Sequence, residues 1–179
     1  MWEFPPDVLE RAKPIRLLLL DVDGVLTDGG IILTGEGEEI KVFSVVDGMG
    51  IKLLQRAGVE VGILSGRFSP VVKHRAMELD IELVYQGELA KVPAFEKILR
   101  EKNLKPQEVA YAGDDLLDIP ILKRVGLAIG VPNAMPPVNK YVHYVTKREG
   151  GKGAVREICE LILHGKGLWH SILDYYLSL

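Results

Sequence analysis

The sequence predicts an α/β protein, a doubly wound, mostly parallel sheet with a β-hairpin inserted after the first strand. Three observations carry that expectation. Short apolar runs alternate with helix-length amphipathic stretches, the pattern of βαβ units. The first run, Leu17-Leu18-Leu19-Leu20, is too short for a helix and suits a strand buried on both faces. The reactive polar side chains fall just after the C-terminal ends of such runs, where open parallel sheets bind ligands.

The elements follow in order. Residues 7–13 form a short helix before Pro14, and strand one covers about 15–22. Ile31-Ile32-Leu33 and Ile40-Lys41-Val42-Phe43 flank the Gly-rich acidic turn at 34–39 and read as a hairpin. Asp47-Gly48-Met49-Gly50 leads into a helix over 51–57, ended by Gly58. A strand over 59–64 precedes Ser69-Pro70, an N-cap followed by proline at the first helical position. That helix runs to Leu79. Then come a strand at 82–85, a helix at 92–102 and a strand at 108–112. The next helix carries Ile119, Ile121, Leu122 and Val125 and closes at Gly126. A strand at 127–129, a short helix or turn at 132–137 and a last strand at 144–145 complete the pattern. Right-handed crossovers would cover both faces of this Rossmann-like sheet. The length, 179 residues, suits one domain, taken as 1–164. Residues 165–179 read as a helical tail whose stripe of Leu168, Ile172, Tyr175, Tyr176 and Leu179 serves packing.

Composition excludes several classes. Lys+Arg 22 against Asp+Glu 25 gives −3, with no basic block, which argues against nucleic-acid binding. The single Cys159 excludes an internal disulfide and a cysteine metal cluster, and fits a reducing compartment. The N-terminus lacks a basic segment followed by an apolar one, and no run approaches the ~20 apolar residues of a membrane span. The chain reads as cytoplasmic. Its histidines, at 74, 143, 164 and 170, show no metal-binding spacing.

The chemistry is concentrated at the strand ends. Asp21 and Asp23 share a face of an extended chain and repel, so a proton, a cation or a metal must stabilise them. Alone, Asp-x-Asp-Gly is also an ordinary acidic turn. Ser65, Lys91, Asp114 and Asp118 follow three other strands and converge on the same crevice. One carboxylate there can attack phosphorus, and a second, two residues on, can protonate a leaving alkoxide and then deprotonate water. Asp114 with an oxygen of Asp21 offers hard ligands for Mg²⁺. Lys91 and the Ser65 hydroxyl can offset charge on a transferring phosphoryl group. The set describes Mg²⁺-dependent phosphoryl transfer.

Asp21-Val22-Asp23-Gly24-Val25-Leu26-Thr27, Leu64-Ser65-Gly66-Arg67, Lys91 and Gly113-Asp114-Asp115-x-x-Asp118 resemble, in order, the four motifs of the haloacid dehalogenase superfamily. The resemblance implies Asp21 as nucleophile and Asp23 as general acid/base. It implies Mg²⁺ held by Asp21, Asp114 and the backbone carbonyl of Asp23. Asp118 would orient Lys91 or a metal-bound water, and Asp115 would support the site or simply favour a helix N-terminus. Neither the Asp23–Ser65 nor the Lys91–Asp114 interval has room for a large lid. A wall against water would then come from another subunit, with the hairpin lying over the partner's crevice, unless the hairpin is a flap on a monomer.

The hairpin, Val46-Asp47-Gly48-Met49-Gly50-Ile51, Gln86-Gly87 and Gly150-Gly151-Lys152-Gly153 further resemble the 3-deoxy-D-manno-octulosonate 8-phosphate phosphatases, capless tetramers of lipopolysaccharide sugar synthesis. That resemblance implies a small phosphorylated sugar acid as substrate. Gly66 and Arg67 would face it, and Asp47 and Gly48 would shape the crevice. A phosphatase for a nine-carbon sugar acid and a receiver-like regulatory module compete. Against the receiver stand the greater length and Asp23, which would make a phospho-aspartate short-lived.

Overall fold

The computed structural model describes residues 2–179. Its sheet strands are β1 (Leu17–Leu20), β4 (Glu60–Leu64), β5 (Leu83–Tyr85), β6 (Val109–Ala112), β7 (Leu127–Gly130) and β8 (Tyr144–Val145). The hairpin strands are β2 (Ile32–Leu33) and β3 (Glu39–Ile40). The helices are α1 (Pro6–Ala12), α2 (Val45–Arg56), α3 (Pro70–Glu78), α4 (Lys91–Lys102), α5 (Ile119–Leu122), α6 (Ala154–Gly165) and α7 (Trp169–Leu177).

The sheet order is β5-β4-β1-β6-β7-β8, and every pairing in it is parallel. β1 lies between β4 and β6, with Leu20 opposite both Ile63 and Ala112. The four leucines divide between the two faces: Leu18 and Leu20 pack in one apolar cluster, Leu17 and Leu19 in the other. The chain runs outward from β1 through β4 to β5, then crosses to β6 on the other side. The carboxyl end of β1 is therefore a topological switch point, where a crevice opens in such sheets. The hairpin pairs only with itself, Ile32 opposite Ile40 and Leu33 opposite Glu39.

Several boundaries differ from expectation. Strand one is four residues, not eight, because the chain folds into a tight turn around Val22 O just beyond it. α2 begins at Val45 rather than Ile51, so Asp47-Gly48-Met49-Gly50 is helical. Ser44 caps it, accepting from the Asp47 N–H at 3.3 Å. The two glycines mark close packing rather than a turn. A Cβ on Gly50 would lie 2.9 Å from Arg156 Cα on α6, and one on Gly48 would lie 2.6 Å from the Arg75 guanidinium on α3. The helix expected through Val125 is only the single turn of α5, preceded by a 3-10 turn at Leu116–Asp118. The turn expected at 132–137 becomes a 3-10 helix at Pro136–Tyr141.

The tail is helical. Trp169 is buried, and Arg56 on α2 donates to the Tyr176 hydroxyl at 3.0 Å. Tyr175 and Leu179 remain exposed, so the expected stripe is only partly packed. Among the described residues, no helix is long and apolar enough to cross a membrane.

The glycine contacts give a test. Gly→Ala inside a helix ordinarily stabilises by up to about 1 kcal/mol. Gly50→Ala is expected to destabilise by about 1–3 kcal/mol, because it presses on the backbone of α6. Gly48→Ala meets only side-chain ends, the Arg75 guanidinium and Leu79 Cδ2, and should cost less. Urea denaturation of the two variants against the native chain measures both, and equal stability for Gly50→Ala would refute the packing argument.

Candidate active site

Asp21 is the first residue beyond β1, and its N–H still donates to Ala112 O at 3.0 Å. The chain then turns tightly, with the N–H groups of Val25, Leu26 and Thr27 all reaching Val22 O. That turn returns Asp23 to the crevice. Gly24 sits at φ +82°, and a Cβ on it would lie 1.9 Å from the Asp114 carboxylate. Asn133 fastens the turn from outside, donating to Gly24 O at 2.9 Å while its Oδ1 accepts from the Gly150 N–H at 2.8 Å.

Ser65 follows β4 and is buried, its N–H donating to Tyr85 O at 2.9 Å. Lys91 opens α4 and is buried as well. Its Nζ lies 2.6 Å from Asp118 Oδ1, 3.1 Å from Asp21 Oδ1 and 2.9 Å from the Tyr111 hydroxyl. Tyr111 donates in turn to Asp118 Oδ1 at 2.5 Å. Asp118 Oδ2 accepts from the N–H groups of Asp114 and Asp115 at 2.9 and 3.0 Å. Both Asp118 oxygens thus take two donors each, the full capacity of a carboxylate. Asp115 Oδ1 accepts from the Leu116 N–H at 2.7 Å and so caps the following 3-10 turn.

These groups line a crevice of about 270 Å³ that brings together Asp21, Asp23, Ser65, Lys91 and Asp114, with Gly66, Arg67 and Asp115 also on its wall. A larger hollow of about 780 Å³ lies beside Lys52 and Asp80, but no set of reactive groups converges there. Burial drives the Asp114 carboxyl up to about 7, reinforced by the charges of Asp21, Asp118 and Asp115 and opposed by Lys91. Burial and the Asp118 charge raise Asp21 too, although Lys91 works against them. Burial opposes the charge on Lys91, but Asp21 and Asp118 outweigh it and raise the ammonium's pKa. Burial and Asp118 keep Tyr111 a protonated donor.

One lysine does not balance this set. Carboxylate oxygens of Asp21, Asp114 and Asp118 lie within 4.8 Å of one another. With Asp118 saturated by four donors, Asp21 and Asp114 are left as hard oxygen ligands. The donor type and the uncompensated charge both fit Mg²⁺. The cradle that Gly24 leaves open beside Asp114 fits the same purpose.

The model for haloacid dehalogenase-like hydrolases matches residues 71–158. The 3-deoxy-D-manno-octulosonate 8-phosphate phosphatase of Yersinia pestis is 46% identical over 157 residues, 88% of this chain and 84% of that one. Its namesake from Escherichia coli K12 is 45% identical over 161 residues, 90% of this chain and 86% of that one. A crystal structure of the Moraxella catarrhalis phosphatase of that name, with magnesium, phosphate and KDO bound, superposes with a TM-score of 0.94. It is 37% identical, and the match covers 97% of this chain and 99% of that one. The chain belongs to the 3-deoxy-D-manno-octulosonate 8-phosphate phosphatase family of haloacid dehalogenase-like hydrolases.

One expectation about the crevice needs correction. Asp47 and Gly48 do not line the crevice. Asp47 is buried on α2, and its Oδ1 accepts from the Arg156 N–H at 2.8 Å, tying α2 to the N-terminal turn of α6. The base of the hairpin also reaches the crevice of its own chain. Lys41 of the hairpin forms an ion pair with Asp23 Oδ1 and lies 3.3 Å from Glu39 Oε1. Arg67 bridges the other oxygen of Asp23 at 3.1 Å and Glu39 at 2.8 Å.

Lys41, Glu39, Tyr111 and Asn133 escaped the sequence reading. Lys41 offered a signal, a lone lysine in the apolar run Ile40–Phe43. Tyr111 offered none, since it reads as one more apolar strand residue.

The raised carboxyls set a pH dependence. A cation must displace their protons, so the Mg²⁺ concentration for half-saturation should rise as pH falls below about 7, by about tenfold per unit for each proton released. Without metal, the folded chain binds more protons than the unfolded one between about pH 4, where free carboxyls titrate, and about 7. Its stability should therefore fall as pH rises through that window, and Mg²⁺ should restore it most at the upper end. Thermal unfolding with and without Mg²⁺ from pH 5 to 8 reads both effects; a Mg²⁺-induced rise in Tm no larger at pH 8 than at pH 5 would contradict them.

Proposed function

We propose that this chain is a Mg²⁺-dependent phosphomonoesterase that removes the 8-phosphate of 3-deoxy-D-manno-octulosonate 8-phosphate. The carrying observation is Asp21 paired with the buried Lys91, at 3.1 Å, in a crevice shared with Asp23, Ser65 and Asp114. The relatives of the same name support the substrate.

Asp21 attacks phosphorus, forming its O–P bond as the bond from phosphorus to the sugar oxygen breaks. Asp23 gives its proton to the departing alkoxide. It then takes one from water as the water oxygen bonds to phosphorus, the Asp21–phosphorus bond breaks and inorganic phosphate leaves. Lys91 and the Ser65 hydroxyl meet the phosphoryl oxygens on which charge accumulates. Asp118 and Tyr111 fix the Lys91 ammonium beside Asp21. Mg²⁺, held by the carboxylates of Asp21 and Asp114 and the carbonyl of Asp23, would supply positive charge that lets two anions approach. Gly66 and Arg67 would receive the sugar acid, the guanidinium facing its carboxylate. In this reading residues 1–164 are the catalytic domain and 165–179 an accessory tail.

The reading includes a homotetramer. Ile31, Ile32, Leu33, Ile40 and Val42 of the hairpin are exposed, and Val45 and Val46 extend the apolar surface. Such a patch commonly marks a protein interface. The base of the hairpin closes its own crevice, leaving this outer face for neighbouring subunits.

Phosphate release from a panel of sugar phosphates, including a nine-carbon sugar acid 9-phosphate, tests the activity. The octulosonate ester should exceed all others in kcat/KM by about a hundredfold, the combined effect of contacts worth ~1–3 kcal/mol each. Asp21→Asn should lower kcat on the order of 10⁴-fold. An even spread over the panel would remove the substrate, and an active Asp21→Asn would remove the mechanism. Light scattering should give a tetramer that Leu33→Asp disperses; a native monomer would end the assembly proposal.

A further inference from the structure

Arg67 is the cation at this crevice that a solute can reach. Its side chain is 45% exposed, while that of Lys41 is 2% exposed and that of Lys91 is 1% exposed. Yet its two terminal nitrogens are already engaged, Nη1 by Asp23 and Nη2 by Glu39. In the resting crevice, with Asp23 ion-paired and yet to take up the proton it later gives the alkoxide, the four side chains balance: two carboxylates, Asp23 and Glu39, against Lys41 and Arg67. A further carboxylate arriving at Arg67 would make three anions to two cations. Repulsion then favours departure of one of the residents.

The two residents are not equally free to leave. Asp23 sits in the tight turn after β1, and Lys41 would still pair with it if Arg67 withdrew. Glu39 sits on a two-residue strand whose ladder joins only two residue pairs, part of a hairpin outside the main sheet. A short, isolated ladder yields at little cost.

We propose that Glu39 is a resident stand-in for the substrate's carboxylate, so that an incoming sugar acid and Glu39 exchange on Arg67. This deepens the phosphatase reading and rests on it for the identity of the substrate. The exchange discriminates by charge. An acid replaces one carboxylate with another and keeps the balance. A neutral sugar phosphate offers Arg67 no replacement, so it gains nothing from opening the contact.

Glu39→Gln is the test, since it keeps the shape and a hydrogen-bond acceptor and removes the charge. KM for octulosonate 8-phosphate, divided by KM for p-nitrophenyl phosphate, is expected to fall about threefold to tenfold, the scale of a partly exposed ion pair. The Kd for free octulosonate, measured by calorimetry with Mg²⁺ present, should fall by a similar factor. If the KM ratio and the Kd stay level or rise, Glu39 supports Arg67 rather than competing for it, and the proposal is overturned. The two readings fail separately. If the native chain does not hydrolyse octulosonate 8-phosphate, the substrate assignment falls, and the calorimetric comparison alone then decides on Glu39.

Discussion

A buried ammonium among carboxylates organises this crevice. Lys91 is nearly inaccessible, yet it stays charged because Asp21 and Asp118 stand within 3.1 Å and 2.6 Å of it. The stability of that arrangement is collective. Asp118 is fully buried, and its four donors, two from side chains and two from the backbone, offset the cost of that burial. Losing one partner of such a network leaves a charge without compensation, which costs more than the pair contributes in isolation. The network spans α4, β6 and the loop after β6, so it ties the relative positions of three elements to one proton inventory. Asp21, accepting only one of the lysine's contacts, keeps lone pairs for a ligand.

Close backbone approach is the second constraint, and glycine meets it. Gly24 faces Asp114, Gly113 faces Asp118 at 2.4 Å from its Cγ, and Gly150 faces Gly24 O at 1.8 Å, all measured from a hypothetical Cβ. The loops after β1 and β6 and the loop before α6 therefore meet without side chains between them. Asn133 then bridges Gly24 and Gly150 with both ends of its amide. The result is a floor made of main chain, from which acidic side chains project together. This is how carboxylates that repel one another are kept close: the cost is met by many hydrogen bonds made elsewhere.

The parts of this design legible in the sequence are those written locally. Leu17–Leu20 followed by Asp21 and Asp23 shows both a buried strand and its polar end, and the same pattern recurs at Ser65 and Asp114. The sheet and the crevice follow from it. Features that depend on distant partners were not legible. Gly48 and Gly50 look like a turn because the reason for them, Arg75 on α3 and Arg156 on α6, lies elsewhere in the chain. The resemblance placed Asp47 at the crevice, whereas its partner is the α6 backbone. Tyr111 is apolar by pattern and polar only at its tip, which reaches Asp118.

The hairpin shows why a chain without a lid still controls its crevice. Its two strands are too short to stand alone by their ladder. What fixes them against the main body is charge: Lys41 on Asp23, and Glu39 on Arg67. The contacts that seat the hairpin are thus made with Asp23 and Arg67, side chains on the wall of the crevice. A hairpin seated by apolar packing would be indifferent to what enters beside it. One seated by ion pairs at the mouth responds to the charge of the entering molecule, because that charge competes for the same partners. Its outer face, by contrast, is apolar and exposed, so the ion pairs and the apolar surface lie on opposite sides of one small element.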